Sequence, residues 1–300
     1  MQAGSLNIGK KSFRGYRGGS TISLFHCTNK KGIAVISKRS LLQSTLTLAL
    51  AAGFAGAAFG QDKPLKIGVT AGPHAQIFEQ VKKVADRQGL KIQVVEFSDY
   101  VQPNAALAAG DLDANSYQHK PYLDAQIKDR GYPFAVAANT VNFPIGIYSK
   151  KIKKLAELKE GARFGIPNDP TNGGRVLLLL QAQGLIKLKD GAGLKATPLD
   201  VVGNPKKLKF IELDAAQLPR SLDDLDASAI NTNFAISAGL NPKTDAIAQE
   251  SPDGPYVNLL VVRAADKDKP WVAQLVKAYQ SEEIRRFIDT QFKGSVLPGW

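Results

Sequence analysis

From residue 65 onward, hydrophobic and polar positions follow two alternating periods. Short runs rich in β-branched residues predict strands, and apolar residues spaced three or four apart predict helices. The predicted strands cover residues 65–69, 91–97, 114–116, 163–166, 208–212, 227–230 and 256–263. The predicted helices cover residues 73–88, 101–109, 121–130, the run after Arg175, 217–223, 270–280 and 282–292. This alternation predicts an α/β fold, with parallel sheets that carry helices on both faces.

Two interruptions divide the α/β series into halves. Residues 141–149 are predicted to be an extended connector, and residues 252–255 (PDGP) break the pattern before the last long strand. The sequence therefore predicts two α/β lobes joined by extended crossovers, with lobe 1 over 61–149 plus 256–300 and lobe 2 over 150–255. Ligands of such proteins bind at the carboxyl ends of parallel strands, so we expect a cleft between the lobes.

The first sixty residues have the pattern of a targeting segment. Lys38 and Arg39 precede a mostly apolar stretch, and small residues stand before a cleavage point near Gly60 and Gln61. A signal peptide over 38–60 is therefore predicted, and residues 1–37 are predicted to be an extension that is disordered or not translated. A transmembrane anchor is the alternative, which is disfavoured by four polar residues in the apolar stretch: Gln43, Ser44, Thr45 and Thr47.

Charge and cysteine content narrow the classes of partner. The net charge is +12, but the first sixty residues hold eight of the 39 basic residues and none of the 27 acidic ones, so residues 61–300 carry only +4. The lysine run over 150–154 has no aromatics to stack on bases, so no nucleic-acid partner is expected. Cys27 is the only cysteine and lies upstream of the predicted signal. A soluble exported protein is expected, with no disulfide and no lipid anchor.

Residues 168–175 (NDPTNGGR) form the most informative motif. Asx, Thr and Gly residues before the apolar run 176–180 indicate a loop that opens a buried helix. The free N–H groups and the dipole at such a helix start favour an anion, and Arg175 adds a fork that can hold a carboxylate with two hydrogen bonds. The alternative is an ordinary capped helix with a surface arginine.

Three further segments follow predicted strands and carry candidate ligand contacts. Tyr117, His119 and Tyr122 stand close together at a strand-to-helix junction. They either form an apolar wall with polar tips, or they are core aromatics beside a histidine that caps the helix. Tyr100 follows another strand. Asn231 follows a third, either as a turn former or as an amide that recognises the charged ends of an amino acid.

Catalytic motifs are sparse downstream of the predicted signal. The sequence has no His-Glu-x-x-His, no Gly-x-Ser-x-Gly and no cysteine–histidine metal spacing. Residues 191–196 (GAGLKA) match a dinucleotide fingerprint in spacing only, because they follow a charged segment rather than a buried strand. We therefore predict no enzyme activity, no cofactor and no metal. The rival hypothesis is an enzyme that uses His119 with Asp111 or Asp113 as a general base.

These segments, in this order, resemble the MetQ/NlpA family of methionine-binding solute receptors of bacterial ABC importers. The resemblance covers residues 65–300. Its matching stretches are 73–75 (PHA), 99–104 (DYVQPN), 118–123 (QHKPYL), 168–180 (NDPTNGGRVLLLL), 218–224 (LPRSLDD), 230–233 (INTN), 256–258 (YVN) and 299–300 (GW). One such motif is a weak signal, but a collinear set is a strong one.

The resemblance implies a bilobed periplasmic-binding-protein fold that closes on free L-methionine and delivers it to an inner-membrane permease. The protein is then expected to be a monomer. The first lobe would surround the thioether with Tyr100, Tyr117, His119 and Tyr122. Arg175 would hold the α-carboxylate, and Asn231 and Asn258 would help to hold the α-amino and carboxylate groups.

This sequence departs from the family pattern in two ways. The family usually carries a lipidated cysteine at maturation, which this sequence lacks at the predicted cleavage point. Tyr117 stands where phenylalanine is typical, which adds a hydroxyl to the pocket. A buried hydroxyl needs a partner, so the alternative ligands are another amino acid, D-methionine or a methionine-containing dipeptide.

Overall fold

A computed structural model describes residues 63–169 and 171–300. The predicted extension over 1–37 and the predicted signal peptide over 38–60 lie outside these residues. Within the described part of the chain, no helix has both the length and the hydropathy needed to cross a membrane.

The described chain contains thirteen strands and eight α-helices. The strands, β1 to β13 in order, are Leu65–Thr70, Ile92–Phe97, Ala114–Ser116, Phe134–Asn142, Gly146–Tyr148, Arg163–Pro167, Lys187–Leu188, Val201–Gly203, Lys209–Leu213, Ala227–Ile230, Ala248–Gln249, Val257–Arg263 and Leu297–Pro298. The helices, α1 to α8 in order, are Pro73–Arg87, Gln102–Ala109, Lys120–Arg130, Asn172–Ala182, Leu218–Ser221, Thr232–Ser237, Pro270–Tyr279 and Glu282–Phe292. The α/β class predicted from the sequence is confirmed.

The strands form two main sheets and one small one. The first sheet has the order β13-β4-β12-β3-β1-β2, and the second has the order β11-β5-β10-β6-β9. In the first sheet β3, β1 and β2 are parallel, whereas β12, β4 and β13 run antiparallel to the strands beside them. In the second sheet β10, β6 and β9 are parallel, and β5 runs antiparallel to both β10 and β11. The sheets are therefore mixed, whereas the alternation of elements predicted parallel ones. Four of the antiparallel strands, β4, β5, β11 and β12, flank the two segments where the chain crosses between the sheets.

Each sheet has its own core. Helices α1, α7 and α8 pack their apolar faces on the first sheet, around Ile77, Phe78, Leu275 and Ile288. On the second sheet, α4 buries Val176, Leu177 and Leu180 against Phe164 and Ile166. Because burying each such side chain contributes about 1.5–3 kcal/mol, the leucine run anchors α4 firmly and sets where its first turn lies.

The chain crosses between the sheets over residues 143–145, after β4, and again over residues 250–256, before β12. The predicted lobe boundary after residue 149 assigns β5 to the first lobe, whereas β5 pairs with β10 and β11 of the second sheet. The apolar run over 141–149 spans parts of two strands in different sheets, so its pattern could not mark the crossover. We propose residues 143–145 as the boundary, and the other lobe limits remain predictions.

Candidate ligand-binding site

A small cavity lies between the carboxyl ends of strands from both sheets. Its lining residues are Tyr100, Tyr117, Gln118, His119, Tyr122, Phe143, Asn172, Arg175, Asn231, Thr232, Asn233 and Asn258. The structure thus brings the seven residues predicted from the sequence around one space. Their role in binding a ligand remains a prediction. The cavity is also lined by five residues that were not predicted from the sequence: Gln118, Phe143, Asn172, Thr232 and Asn233.

Three tyrosines form one wall of the cavity. The rings of Tyr100, Tyr117 and Tyr122 lie with centroids 5.9–6.3 Å apart. Tyr122 donates its hydroxyl to the Tyr100 backbone carbonyl at 2.8 Å, and Tyr100 donates to Asn233 Oδ1 at 2.6 Å. Burial raises the pKa of all three hydroxyls, so the wall stays neutral. It offers an apolar surface to a side chain.

The Tyr117 hydroxyl is buried beside the Tyr122 hydroxyl and makes no hydrogen bond of good geometry with any described residue. A buried hydroxyl that lacks a partner costs about 1–3 kcal/mol, so this group is an unused donor and acceptor at the cavity wall. It is the group that the sequence singled out as a departure from the family pattern.

His119 caps the start of α3 with one ring nitrogen. Its Nδ1 accepts a hydrogen bond from the Tyr122 backbone N–H at 3.2 Å, so the proton must be on Nε2, which lies 3.1 Å from Asn172 Oδ1. Burial, together with the charge of Arg175, lowers the pKa of His119 to about 3. His119 is therefore a neutral donor with a defined tautomer at neutral pH.

The general base required by the enzyme hypothesis is not assembled. Both ring nitrogens of His119 are engaged, and Asp113 precedes β3 while His119 follows it. Asp113 instead accepts from the Lys66 backbone N–H at 2.8 Å and faces Arg263. Asp111 is exposed at the same far end of β3.

The motif at residues 168–175 folds differently from its prediction in one respect. Helix α4 begins at Asn172, not after Arg175, so the arginine lies in the first helical turn. The Asp169 carboxylate accepts the Thr171 and Asn172 backbone N–H groups at 3.2 and 2.9 Å, which caps the helix start with the protein's own anion. The N–H groups of this helix are not an open anion site.

Arg175 is buried and faces the cavity, so the alternative of a surface arginine is wrong. It is the only charged side chain among the lining residues of the described chain. The sequence predicted that the guanidinium would hold a ligand carboxylate with two hydrogen bonds, but two of its nitrogens bind Glu250 instead. Nε donates to Oε2 at 2.6 Å and Nη2 donates to Oε1 at 3.1 Å. Glu250 lies 75 residues away in a polar stretch, and no sequence pattern pointed to it.

Asn172 is the centre of a polar network beneath the cavity. Its Oδ1 accepts from His119 Nε2 and from Asn231 Nδ2, both at 3.1 Å. Asn231 Oδ1 has no partner among the described residues although it is buried. An unpartnered amide oxygen at the wall is an acceptor for a cationic group of a ligand.

Asn258 is held from behind by a second buried histidine. Its Nδ2 lies 2.9 Å from His74 Nε2 and 3.4 Å from the Tyr117 carbonyl, while His74 Nδ1 lies 2.8 Å from Thr70 Oγ1. Burial lowers the pKa of His74 to about 3, so it is neutral and accepts from Asn258 through Nε2. Asn258 Oδ1 is left for the cavity.

An α/β fold with two sheets and a cavity lined by residues that follow strands of both is the arrangement of a two-lobed binding protein. The chain belongs to the NlpA lipoprotein family, whose model matches residues 65–300. This confirms the family predicted from the sequence motifs and its bilobed fold.

Several relatives cover almost the whole matched region. The D-methionine-binding lipoprotein MetQ of Escherichia coli (strain K12) is 52% identical over 248 residues, covering 80% of this chain and 92% of the relative. A nutrient-binding protein from Burkholderia cenocepacia, solved bound to methionine, has a TM-score of 0.78 and 58% identity, covering 79% of this chain and all of that one. A periplasmic substrate-binding protein of an ABC transporter from Coxiella burnetii has a TM-score of 0.76 and 48% identity, covering 78% and 100%. These relatives are binding proteins, which confirms the prediction that the chain is not an enzyme.

The prediction of an exported protein without a lipid anchor is contradicted by these findings. The family is described as lipoproteins, and the Escherichia coli relative is itself named a lipoprotein. The prediction depended on the lack of a cysteine near Gly60 and Gln61, which lie outside the described residues. The cleavage point was itself inferred from pattern, so a missing cysteine there was a poor guide to anchoring.

Proposed function

We propose that this protein captures L-methionine by closure of its two lobes and delivers it to the inner-membrane permease of an ABC importer. The observation that carries the proposal is the cavity itself, in which one buried guanidinium faces a wall of three tyrosines. One fixed cation, neutral amides and an apolar wall suit a zwitterion with a soft apolar side chain. The methionine-bound relative from Burkholderia cenocepacia supports the choice of ligand.

In this proposal each end of the ligand has its own partners. The α-carboxylate binds Arg175 through the guanidinium hydrogens that Glu250 leaves free. The α-ammonium donates to Asn231 Oδ1, which otherwise has no partner, and Asn258 Oδ1 accepts a further hydrogen bond. The thioether lies against Tyr100, Tyr117 and Tyr122.

Lobe closure is the proposed mechanism, without covalent chemistry. Two hydrogen bonds join residues of the first sheet to residues of the second around the cavity: Tyr100 to Asn233 and His119 to Asn172. These two hydrogen bonds must be broken before a ligand can enter the cavity. When the lobes close on the ligand, the bonds form again and water is excluded. The protein acts as a monomer in this account.

A second ligand is favoured by one observation. The Tyr117 hydroxyl has no partner among the described residues, so a ligand with a polar group near the end of its side chain would satisfy it. Another amino acid or a methionine-containing dipeptide would meet this condition. D-methionine is an alternative for a different reason, since the Escherichia coli relative is named for it.

A thermal-shift screen tests the ligand assignment. A ligand that binds only the folded protein must raise its melting temperature in proportion to the logarithm of its concentration over Kd. We expect L-methionine to give the largest shift in a panel of L-methionine, D-methionine, glycyl-methionine and the other common amino acids. A larger shift with one of the others transfers the assignment to that ligand, and no shift with any of them contradicts the proposed function.

A further inference from the structure

The Arg175 guanidinium is fixed from several sides before any ligand arrives. Nε and Nη2 donate to the two carboxylate oxygens of Glu250, and Nη2 also donates to the Phe143 carbonyl at 2.9 Å. The Tyr256 ring lies against it, with the guanidinium carbon 4.1 Å from the ring centroid. Paired N–H···O bonds of this kind set the plane and the direction of the guanidinium.

The contacts leave one edge of the guanidinium available. Among the described residues, Nη1 donates only to Asn172 Oδ1, at 3.5 Å, which is the limit of a hydrogen bond. Arg175 lines the cavity, whereas Glu250 does not. Glu250 therefore lies behind the arginine and turns its Nη1 edge towards the ligand, rather than competing with the ligand for the same space.

The pair is also balanced in charge. The side chains of Arg175 and Glu250 are only 3% and 11% exposed. Two opposite charges in this setting leave the site neutral overall, which matches a zwitterion with no net charge. When one partner of a buried pair is removed, the other is left uncompensated in a medium that solvates it poorly.

The position of Glu250 in the chain adds a mechanical consequence. Glu250 begins the crossover over 250–256, and Phe143 begins the crossover over 143–145. Arg175 is thus hydrogen-bonded to both segments that connect the sheets. A rotation of one lobe on these segments moves the acceptors that hold the arginine.

We propose that Glu250 is a positioning residue for ligand recognition. It holds the Arg175 guanidinium so that Nη1 faces the cavity, and it fixes this orientation to the crossover that flexes when the lobes close. The inference rests on the proposed function, because it assigns to Arg175 the carboxylate of the ligand.

The first test compares two ligands in the Glu250→Gln variant. Glutamine is similar in size but has one acceptor oxygen, so it cannot hold both Nε and Nη2. We expect the Kd for L-methionine to rise at least about tenfold, as for loss of a charge-assisted hydrogen bond. L-methioninol lacks the carboxylate and is a cation, so it loses only the charge balance of the pair and no bond to Arg175. Its Kd should therefore rise by a clearly smaller factor in competition calorimetry.

Two further variants serve as controls. Glu160→Gln removes an exposed carboxylate that pairs with Lys207, so it should leave both Kd values unchanged. Glu250→Asp keeps the charge on a shorter stem and should fall between the wild type and Glu250→Gln. It also provides a second measurement if Glu250→Gln does not fold.

A double-mutant cycle separates positioning from a merely structural role. If Glu250 acts through Arg175, then Glu250→Gln should have almost no further effect on methionine binding in an Arg175→Ala background. Additive losses, equal losses for methionine and methioninol, or unchanged methionine binding in Glu250→Gln would each overturn the inference. If the wild type binds no methionine at all, the proposed function fails instead, so the two failures are distinct.

Discussion

Two histidines of the described chain, His74 and His119, are held neutral by burial. His119 orders the start of α3 and donates to Asn172, and His74 holds Asn258. Each has a pKa of about 3 in the folded protein against 6.5 for an exposed histidine. The unfolded chain therefore binds more protons than the folded protein between these values. Their contribution to stability is complete above pH 6.5 and is lost as the pH falls towards 3.

His74→Gln should make stability less dependent on pH. Each buried histidine gives a slope of about 1.4 kcal/mol per pH unit below pH 6, so the variant should lose the slope of one proton. Urea unfolding at intervals from pH 4 to pH 7 measures it. Carboxylates that titrate in this range contribute equally to the pH slope of the wild type and of the variant. Their contribution therefore cancels when the two slopes are subtracted. Equal slopes for the variant and the wild type would show that His74 is charged in the folded state.

Tyr117→Phe tests the unpartnered hydroxyl. The change removes a buried polar atom without a partner and keeps the ring, so the free energy of unfolding should rise by about 1 kcal/mol. Methionine binding should be unchanged or tighter. Calorimetry and denaturant unfolding give the two values. A large loss of affinity for methionine would mean that the hydroxyl binds the ligand.

At the scale of secondary structure, long amphipathic elements were predictable and short ones were not. Helices α1, α7 and α8 repeat buried residues at helical spacing, and β1 and β12 are mostly apolar and buried. Strand β4 was not predicted as a strand, and only its last two residues fell within the predicted extended connector, because Ala and Asn occupy positions where strands favour β-branched residues. Strands β11 and β13 have two residues each and helix α6 has six, too few to show a period.

Helix α1 meets α6 across the two lobes through a glycine. Gly72, which precedes α1, has a φ of +85°, and a Cβ there would lie 2.1 Å from Ser237 Oγ at the end of α6. A Cβ at that distance requires either that the Ser237 hydroxyl leave its hydrogen bond to the Asn233 carbonyl and rotate away, or that α6 shift. The contact is made only when the two lobes are together.

Gly72→Ala should therefore weaken methionine binding by about tenfold, by opposing closure rather than by touching the ligand. Gly89→Ala is the matched control, since its φ is +80° but nothing lies within 4 Å of the added Cβ. It should cost stability for its backbone strain and leave the Kd unchanged. Ser237→Ala should restore part of the affinity in the Gly72→Ala protein. Titration calorimetry with methionine gives the Kd of the wild type, Gly72→Ala, Gly89→Ala and the Gly72→Ala/Ser237→Ala double variant. Equal Kd values for Gly72→Ala and Gly89→Ala would exclude the closure contact.

At the scale of the whole molecule, the sequence predicted which segments meet but not how they bond. Strand ends of an α/β fold converge, so Tyr117, His119 and Asn231 could be expected near one another. The partners that set their chemistry are distant in sequence, and no local pattern pairs them with these residues. Arg175 bonds to Glu250 and Phe143, 75 and 32 residues away, and Asn258 bonds to His74, 184 residues away. Pairings at this distance follow from the folded arrangement and from no local pattern.

Arg175 is proposed to recognise the carboxylate of methionine inside the cavity between the lobes. Titration calorimetry of ligand-free protein with L-methionine measures this recognition, with the exposed Arg220→Ala as control for Arg175→Ala. We expect one-to-one binding by the wild type and the control. We expect a Kd at least about 30-fold higher for Arg175→Ala, the loss of a charged hydrogen bond. Methionine binding by Arg175→Ala as tight as by the wild type, or no binding by the wild type, would contradict this proposal.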